Sequence, residues 1–251
     1  MPEYIAPIDD LRFALKLSNK EDLTTWPGFE DASPDLIDAV LGEAARFSKD
    51  VLSPINYLGD QTPPAVNEGV VTTSPEWRAA YTQFIEGGWT GLALDPSFGG
   101  QGLPQVLACA VQEMWDASNM AFGLCPMLSQ TAAEAILAKG SEEQKSRFLP
   151  KMVSGEWTGT MNLTEPQAGS DLSAVRTRAV PSSEDHYLLS GQKIYITYGE
   201  HDLAENISHL VLARTPDAPE GVKGISLFIV PKFIPDSNGN PGQRNDVYCV
   251  S

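Results

Sequence analysis

Basic residues are scarce in this chain: 17 Lys+Arg stand against 33 Asp+Glu, a formal net charge of −16 over 251 residues. So acidic a chain repels phosphate-rich surfaces, which argues against nucleic acid and anionic membranes as partners. An anionic ligand would have to be held by local donors rather than by the overall field. Cysteine is scarce too. Cys109, Cys125 and Cys249 form no CxxC pair, so no disulfide framework is expected, and a reducing, cytoplasmic setting is. The only histidines are His186, His201 and His209, in no metal-ligand spacing, so no metal site is expected. A Walker A lysine and a Gly-x-Ser-x-Gly elbow are absent, and "GGQG" at 99–102 has neither a preceding strand nor the third glycine of a dinucleotide fingerprint. The N-terminus "MPEYIAPIDD" lacks the pattern of a signal or transit peptide. No apolar run is read as approaching the length of a membrane span.

What is present divides the chain in two. Ser33-Pro34 opens a capped helix whose apolar residues Leu36, Ile37, Val40, Leu41 and Ala44 recur at helical spacing, and Pro54 is expected to end it. Ser74-Pro75 opens a second helix stopped by Gly87-Gly88. The stretch from Pro104 to Lys139 reads as helical in two pieces broken near Pro126, and Ser141 to Gln144 forms a capping box for one more short helix. After Gly155 the pattern changes. "WTGTMNL", "AVRTRAV", "HYLLSG", "KIYIT", "HLVLAR" and "GISLFIV" are short, rich in β-branched and aromatic residues, and separated by turn formers, which predicts antiparallel strands. The fold class is α+β with segregated halves: an extension over 1–32, a helical domain over 33–155 and a β-domain over 156–251. The chain stops at "NDVYCVS", inside a strand-like run, so it is expected to be a piece of a longer protein.

At the junction lies "LTEPQAGSD", residues 163–171, too polar for a core strand and too rich in Pro and Gly for a helix. Pro166 fixes φ, and Gly169 permits a turn closed to other residues. Gly169, Ser170 and Asp171 could then present successive N–H groups to an anion, with the hydroxyls of Thr164 and Ser170 alongside. The competing reading is a capped turn in which Asp171 satisfies its own neighbours. A second polar stretch, "GQKIYITYG" at 191–199, alternates so that Tyr195 and Thr197 would share one strand face, with Ile194 and Ile196 on the other. Such a face could pack on a planar ligand or simply meet solvent.

"MNLTEPQAGSDLSAVRTRA", "GQKIYIT", "LVLARTP" and "GISLFIVPK", preceded by "GGWTGLALDPSFGGQGLP" and "GSEEQKSRFLPKMVSGEWTGTMNLTEP", resemble the acyl-CoA dehydrogenase flavoprotein family over most of the chain. "GEHD" at 199–202 and "RNDVYCVS" look most like its larger bacterial branch, which includes dehydrogenases of methylthiopropionyl-CoA type substrates. The resemblance implies a barrel-like β-domain and an FAD site shared with a C-terminal helical bundle that has no counterpart here. It also implies α,β-dehydrogenation of an acyl-CoA thioester, an electron-transfer flavoprotein as acceptor and a homo-oligomeric whole protein. Carried over by residue, it implies flavin contacts from Met161, Leu163, Thr164, Gly169, Ser170, Tyr195, Ile196 and Thr197. Ser170 would also approach the acyl-CoA. Tyr195 stands for the family's Trp, and Met161 where several relatives have an aromatic ring. The family's catalytic glutamate belongs to the absent bundle, so none is assigned, and Glu165 is read as tethering its turn. A non-catalytic flavin or acyl-CoA binding module, or a partner subunit, is the alternative.

Overall fold

A computed structural model of the chain describes residues 4–18, 23–183 and 185–250. The first half carries helices α1 (Ile8–Ser18), α2 (Pro34–Phe47), α3 (Ser53–Gln61), α4 (Pro75–Glu86), α5 (Gln105–Lys139) and α6 (Glu142–Ser154), with a small hairpin of β1 (Ala65–Asn67) and β2 (Val70–Thr72). The second half carries β3 (Trp157–Asn162), β4 (Arg178–Pro181), β5 (Tyr187–Ser190), β6 (Asn206–Ala213), β7 (Ser226–Pro231), β8 (Phe233–Pro235) and β9 (Pro241–Arg244).

The helix starts follow the capping chemistry. Ser33 and Ser74 accept from the backbone N–H of Leu36 and Trp77, each with Pro at the next position. Ser141 and Gln144 form the expected reciprocal box at α6. Two expected breaks fall elsewhere. Pro54 does not end the α2 helix: Ser48–Leu52 widens into a π-turn, with the Ser53 N–H reaching back to the Ser48 carbonyl. That register change absorbs the donor that Pro54 lacks, and α3 continues. In α5 the interruption is at Asn119 (φ −162, ψ 84), while Pro126 rides inside the second piece. Asn119 caps that piece by accepting from the Phe122 N–H at 3.1 Å, and its amide donates to the Leu52 carbonyl at 3.2 Å.

One apolar core joins α1 to α4 and the first part of α5, with Leu11, Leu41, Phe84, Trp115 and Phe122 among its members. A second joins the rest of α5 and α6 to Trp157 and Leu210 of the sheet. By length and composition α5 is long and apolar enough to cross a membrane, although no such run was expected from the sequence. Its buried residues line both cores.

The helical-then-strand order matches expectation, and the strand pairing adds a correction. The central sheet has the order β3-β6-β7. β6 and β7 are antiparallel, but β3 and β6 run parallel, Trp157 opposite Asn206 through Asn162 opposite Val211. Composition marks strands but not their direction, and β3 and β6 are joined by the long crossover 163–205. The pairs β4–β5 and β8–β9 are antiparallel, and no sheet closes into a barrel among the described residues. "KIYIT" forms no strand, the strand in "AVRTRAV" begins only at Arg178, and the terminal run adds none after Arg244. Ser251 lies outside the described residues.

The outer edge of β3 is covered by α5. The Gly159 N–H donates to Ser129 Oγ at 3.0 Å, which satisfies an otherwise open edge. A Cβ on Gly159 would lie 2.6 Å from Ala132 and 2.8 Å from Met152, so glycine is what lets both helices close on this strand.

Candidate functional site

Two loops leave the sheet and meet. The first begins as β3 ends. Glu165 and Ala168 exchange both backbone hydrogen bonds, at 2.9 and 3.0 Å, with Pro166 at the position where its fixed φ favours a tight turn. The turn is nailed down from beneath by the Glu165 carboxylate, whose residue is 4% exposed. It accepts from Lys193 Nζ (2.8 Å), the Thr177 hydroxyl and N–H, the Arg176 N–H (2.7 Å) and the Gln167 amide. Burial would raise its pKa, but the bonds from Lys193, Thr177 and the backbone outweigh that and hold it at about 2. Glu165 is therefore an ionised tether with its lone pairs committed, as expected.

Asp171 follows the capped-turn reading: its carboxylate accepts from the Ser173 N–H at 2.9 Å and starts the short turn Leu172–Ala174. Gly169 differs from expectation. It is not in the left-handed region, and a Cβ there would meet nothing within 4 Å, so neither its own backbone conformation nor packing within the chain demands glycine. A ligand group approaching the backbone at this exposed point would.

The second loop is tied directly to the first. The Ile194 N–H donates to the Thr164 carbonyl at 3.0 Å, and Lys193 Nζ donates to the Leu163 carbonyl at 3.2 Å. Here the expected strand alternation fails. Tyr195 and Tyr198 are left-handed, with φ of 58 and 53, and the Gly199 N–H closes a turn on the Ile196 carbonyl at 3.0 Å. Left-handed residues turn the chain out of the pleat, so Tyr195 and Thr197 do not share a strand face.

The candidate residues thus lie on two adjoining turns. Met161 is half-buried on β3, and Leu163 and Thr164 are half-buried just beyond it. Gly169, Ser170 and Thr197 are exposed, Ile196 is half-buried, and the Tyr195 ring is 89% exposed. The hydroxyls of Thr164, Ser170 and Thr197 find no partner among the described residues. Reasoning from the sequence missed Lys193 and Thr177, the groups that join the loops through Glu165. A lone Lys opening an apolar stretch was the available signal.

Behind the loops the sheet interior is polar. On β3, Thr158 and Thr160 point the same way. The Leu203 N–H donates to His201 Nδ1 at 3.1 Å, so Nε2 carries the proton and donates to Thr158 Oγ1 at 3.0 Å. The Thr160 hydroxyl donates to Asn162 at 2.5 Å and accepts from His209 Nδ1 at 2.7 Å. Burial first, then the positive charge of Lys232, lowers the pKa of His201 to about 3 and of His209 to about 4. Glu200 is paired with Lys232 and Arg244. A cavity of about 480 Å³ in the helical half, beside Phe47 and Trp89, shares no residue with the two loops.

A helical half closed on a sheet that presents two joined polar loops is an α+β architecture. Residues 56–156 match the acyl-CoA dehydrogenase N-terminal domain, and residues 160–244 match the acyl-CoA dehydrogenase middle domain. The chain belongs to the acyl-CoA dehydrogenase family. It is 46% identical to the 3-methylmercaptopropionyl-CoA dehydrogenase of Ruegeria pomeroyi, over 99% of this chain and 42% of that protein. It is 39% identical to a butyryl-CoA dehydrogenase of Syntrophomonas wolfei, over 97% of this chain and 41% of that one. Among solved structures it resembles the glutaryl-CoA dehydrogenase of Mycobacterium smegmatis, with a TM-score of 0.64 and 27% identity over 82% of this chain and 48% of that one. The chain thus spans less than half the length of these relatives.

Proposed function

We propose that the whole protein is a cytoplasmic, FAD-dependent acyl-CoA dehydrogenase that converts an acyl-CoA thioester to the 2-enoyl-CoA, and that this chain supplies one wall of its flavin site. The observation that carries this reading is the backbone bond from Ile194 to Thr164. It brings two loops, chosen separately in the sequence, into one polar surface with three unpartnered hydroxyls and an exposed aromatic ring. The open space at Gly169 and the exposure of Tyr195 fit a large planar cofactor with an anionic tail.

When bound, the flavin supplies the acceptor for the hydride that leaves the β carbon. Thr164 and Thr197 would hold the ring edge by donating hydroxyl hydrogen bonds, which gain strength as negative charge develops there. Tyr195 would cover the ring, with Met161, Leu163 and Ile196 as apolar neighbours. Gly169 and Ser170 would meet the ribityl-phosphate end, and Ser170 the acyl-CoA as well.

The base that takes the α-proton is assigned to neither loop. Glu165 is saturated with donors, which makes it a poor proton acceptor, and Glu200 is engaged by two cations. In this reading the base lies in the part of the whole protein beyond the matched stretch. The whole protein is read as a homo-oligomer that passes its electrons to an electron-transfer flavoprotein. The 251-residue chain alone is expected to be inactive and to bind FAD weakly. Recovery of this chain yellow with stoichiometric FAD would contradict that part of the reading. In the full-length protein, Thr164→Ala and Thr197→Ala are each expected to lower acyl-CoA-dependent dye reduction by about 10–100-fold, at or below the about 100–1000-fold cost of one lost oxyanion-hole donor. Unchanged rates in both would overturn the ring-edge assignment.

A further inference from the structure

Tyr195 and Tyr198 belong to the few non-glycine residues with left-handed backbone among the described residues. Such a conformation is strained for an L-residue, so the turn persists only where its surroundings over-determine it. On its N-terminal side the determinants are the Ile194 bond to Thr164 and the Lys193 bonds to Leu163 and Glu165. On its C-terminal side they come from the helical half. The Tyr198 hydroxyl accepts from Trp77 Nε1 at 3.2 Å and donates to the Ala121 carbonyl at 2.7 Å. Its ring packs against the helical core and lies edge-on to His201, with centroids 5.6 Å apart.

Ala121 lies in the first turn of the second piece of α5, just after the interruption. Asn119, two residues earlier, leaves helical geometry and donates to Leu52 at the end of the π-turn. The residue that follows Thr197 is therefore pinned beside the α5 break, and that break is itself bonded to the end of the π-turn. A straight α5 would carry the Ala121 carbonyl along a different path, so this interruption has a use beyond packing.

We propose that Tyr198 is a positioning residue for the flavin edge, its hydroxyl pinning the turn 195–199 to the α5 break so that Thr197 and Tyr195 are presented to the cofactor. This rests on the flavin reading above. Thr73 provides the comparison. Its N–H and hydroxyl both donate to Asp202, at 3.0 and 2.5 Å, and so tie the same two halves together beyond the left-handed turn.

The test uses the full-length protein as wild type, Tyr198→Phe and Thr73→Val. The measurements are the FAD dissociation constant of the apoprotein, the visible spectrum and midpoint potential of bound flavin, and the melting temperature. Tyr198→Phe is expected to weaken FAD binding about tenfold, the scale of one or two lost hydrogen bonds, and to shift both spectrum and potential. Thr73→Val is expected to lower the melting temperature without moving either. Trp77→Phe removes one of the two bonds and is expected to give a smaller change in the same direction; it carries the test if Tyr198→Phe does not fold. Wild-type flavin affinity, spectrum and potential in Tyr198→Phe would overturn the proposal. Equal flavin shifts in Thr73→Val would also overturn it, reducing the effect to general docking of the halves. A wild-type protein that holds no FAD would overturn the flavin reading itself, and this proposal with it.

Discussion

In the helical half the largest fully buried side chains are Trp115, Phe84, Phe122, Leu41 and Leu52, and no charged side chain there is buried among the described residues. In the strand-bearing half Trp157 and Ile207 are buried, but so are Glu165, Glu200, Lys232, His201 and His209. The first interior is held by apolar area and ring contacts. The second is held by ionised and hydrogen-bonded groups whose value depends on every partner being present. Polar turns need fixing from behind, and apolar packing alone cannot orient a carbonyl or a hydroxyl. The polar interior does that orienting.

The contrast can be broken from either side. Phe84 makes ring contacts with Phe47, Tyr81, Trp115 and Phe122, so Phe84→Ala is expected to cost about 4 kcal/mol in urea unfolding, through lost burial and the cavity left behind. Lys193→Met removes the cation from a carboxylate that stays buried, and is expected to cost about 3 kcal/mol at pH 7. If Lys193→Met costs nothing, the polar interior is not what holds the loops.

Acid should act on the strand-bearing half first. The folded pKa values of His201 and His209 are lowered to about 3 and about 4. Their contribution is therefore complete above about pH 6.5, the unfolded value, and is lost as pH falls toward the folded values. Lowering pH from 7 to 5 is expected to remove about 2 kcal/mol for each of the two histidines, and His209→Gln should flatten that slope in a pH series of urea midpoints. The Glu165 contribution occupies a separate, lower window: complete above about pH 4.5, it is lost as pH falls toward 2. Smallest is Ser141→Ala, expected to lower stability by about 1 kcal/mol through loss of a helix cap, with little dependence on pH.

The same division governs what the sequence made readable. Caps at Ser33, Ser74 and Ser141 and the switch to β-rich segments after Gly155 are local signals, and the helices and most strands follow them. The interruption at Asn119 depends on a distant carbonyl at Leu52, so Pro126 was the more visible but wrong candidate. In the site, the loop 163–171 was conspicuous by composition, and the tethering role of Glu165 was readable from its place in it. The left-handed Tyr195 and Tyr198 were not, because the alternation of "KIYIT" mimics a strand and only contacts with Thr164, Trp77 and Ala121 overrule it. Gly169 was singled out for a backbone conformation it does not adopt.

The parallel pairing of β3 with β6 bears on the order in which the molecule assembles. Parallel strands cannot be joined by a tight hairpin, and here the joining segment, 163–205, is the one that contains both loops. Closing so long a connection carries an entropic cost before native contacts offset it. In refolding, the helical half and the β6–β7 hairpin can form from nearby contacts, whereas the two loops come into register only once β3 has found β6. Refolding followed by pulsed hydrogen exchange is expected to protect the Ile194 amide after those of β7.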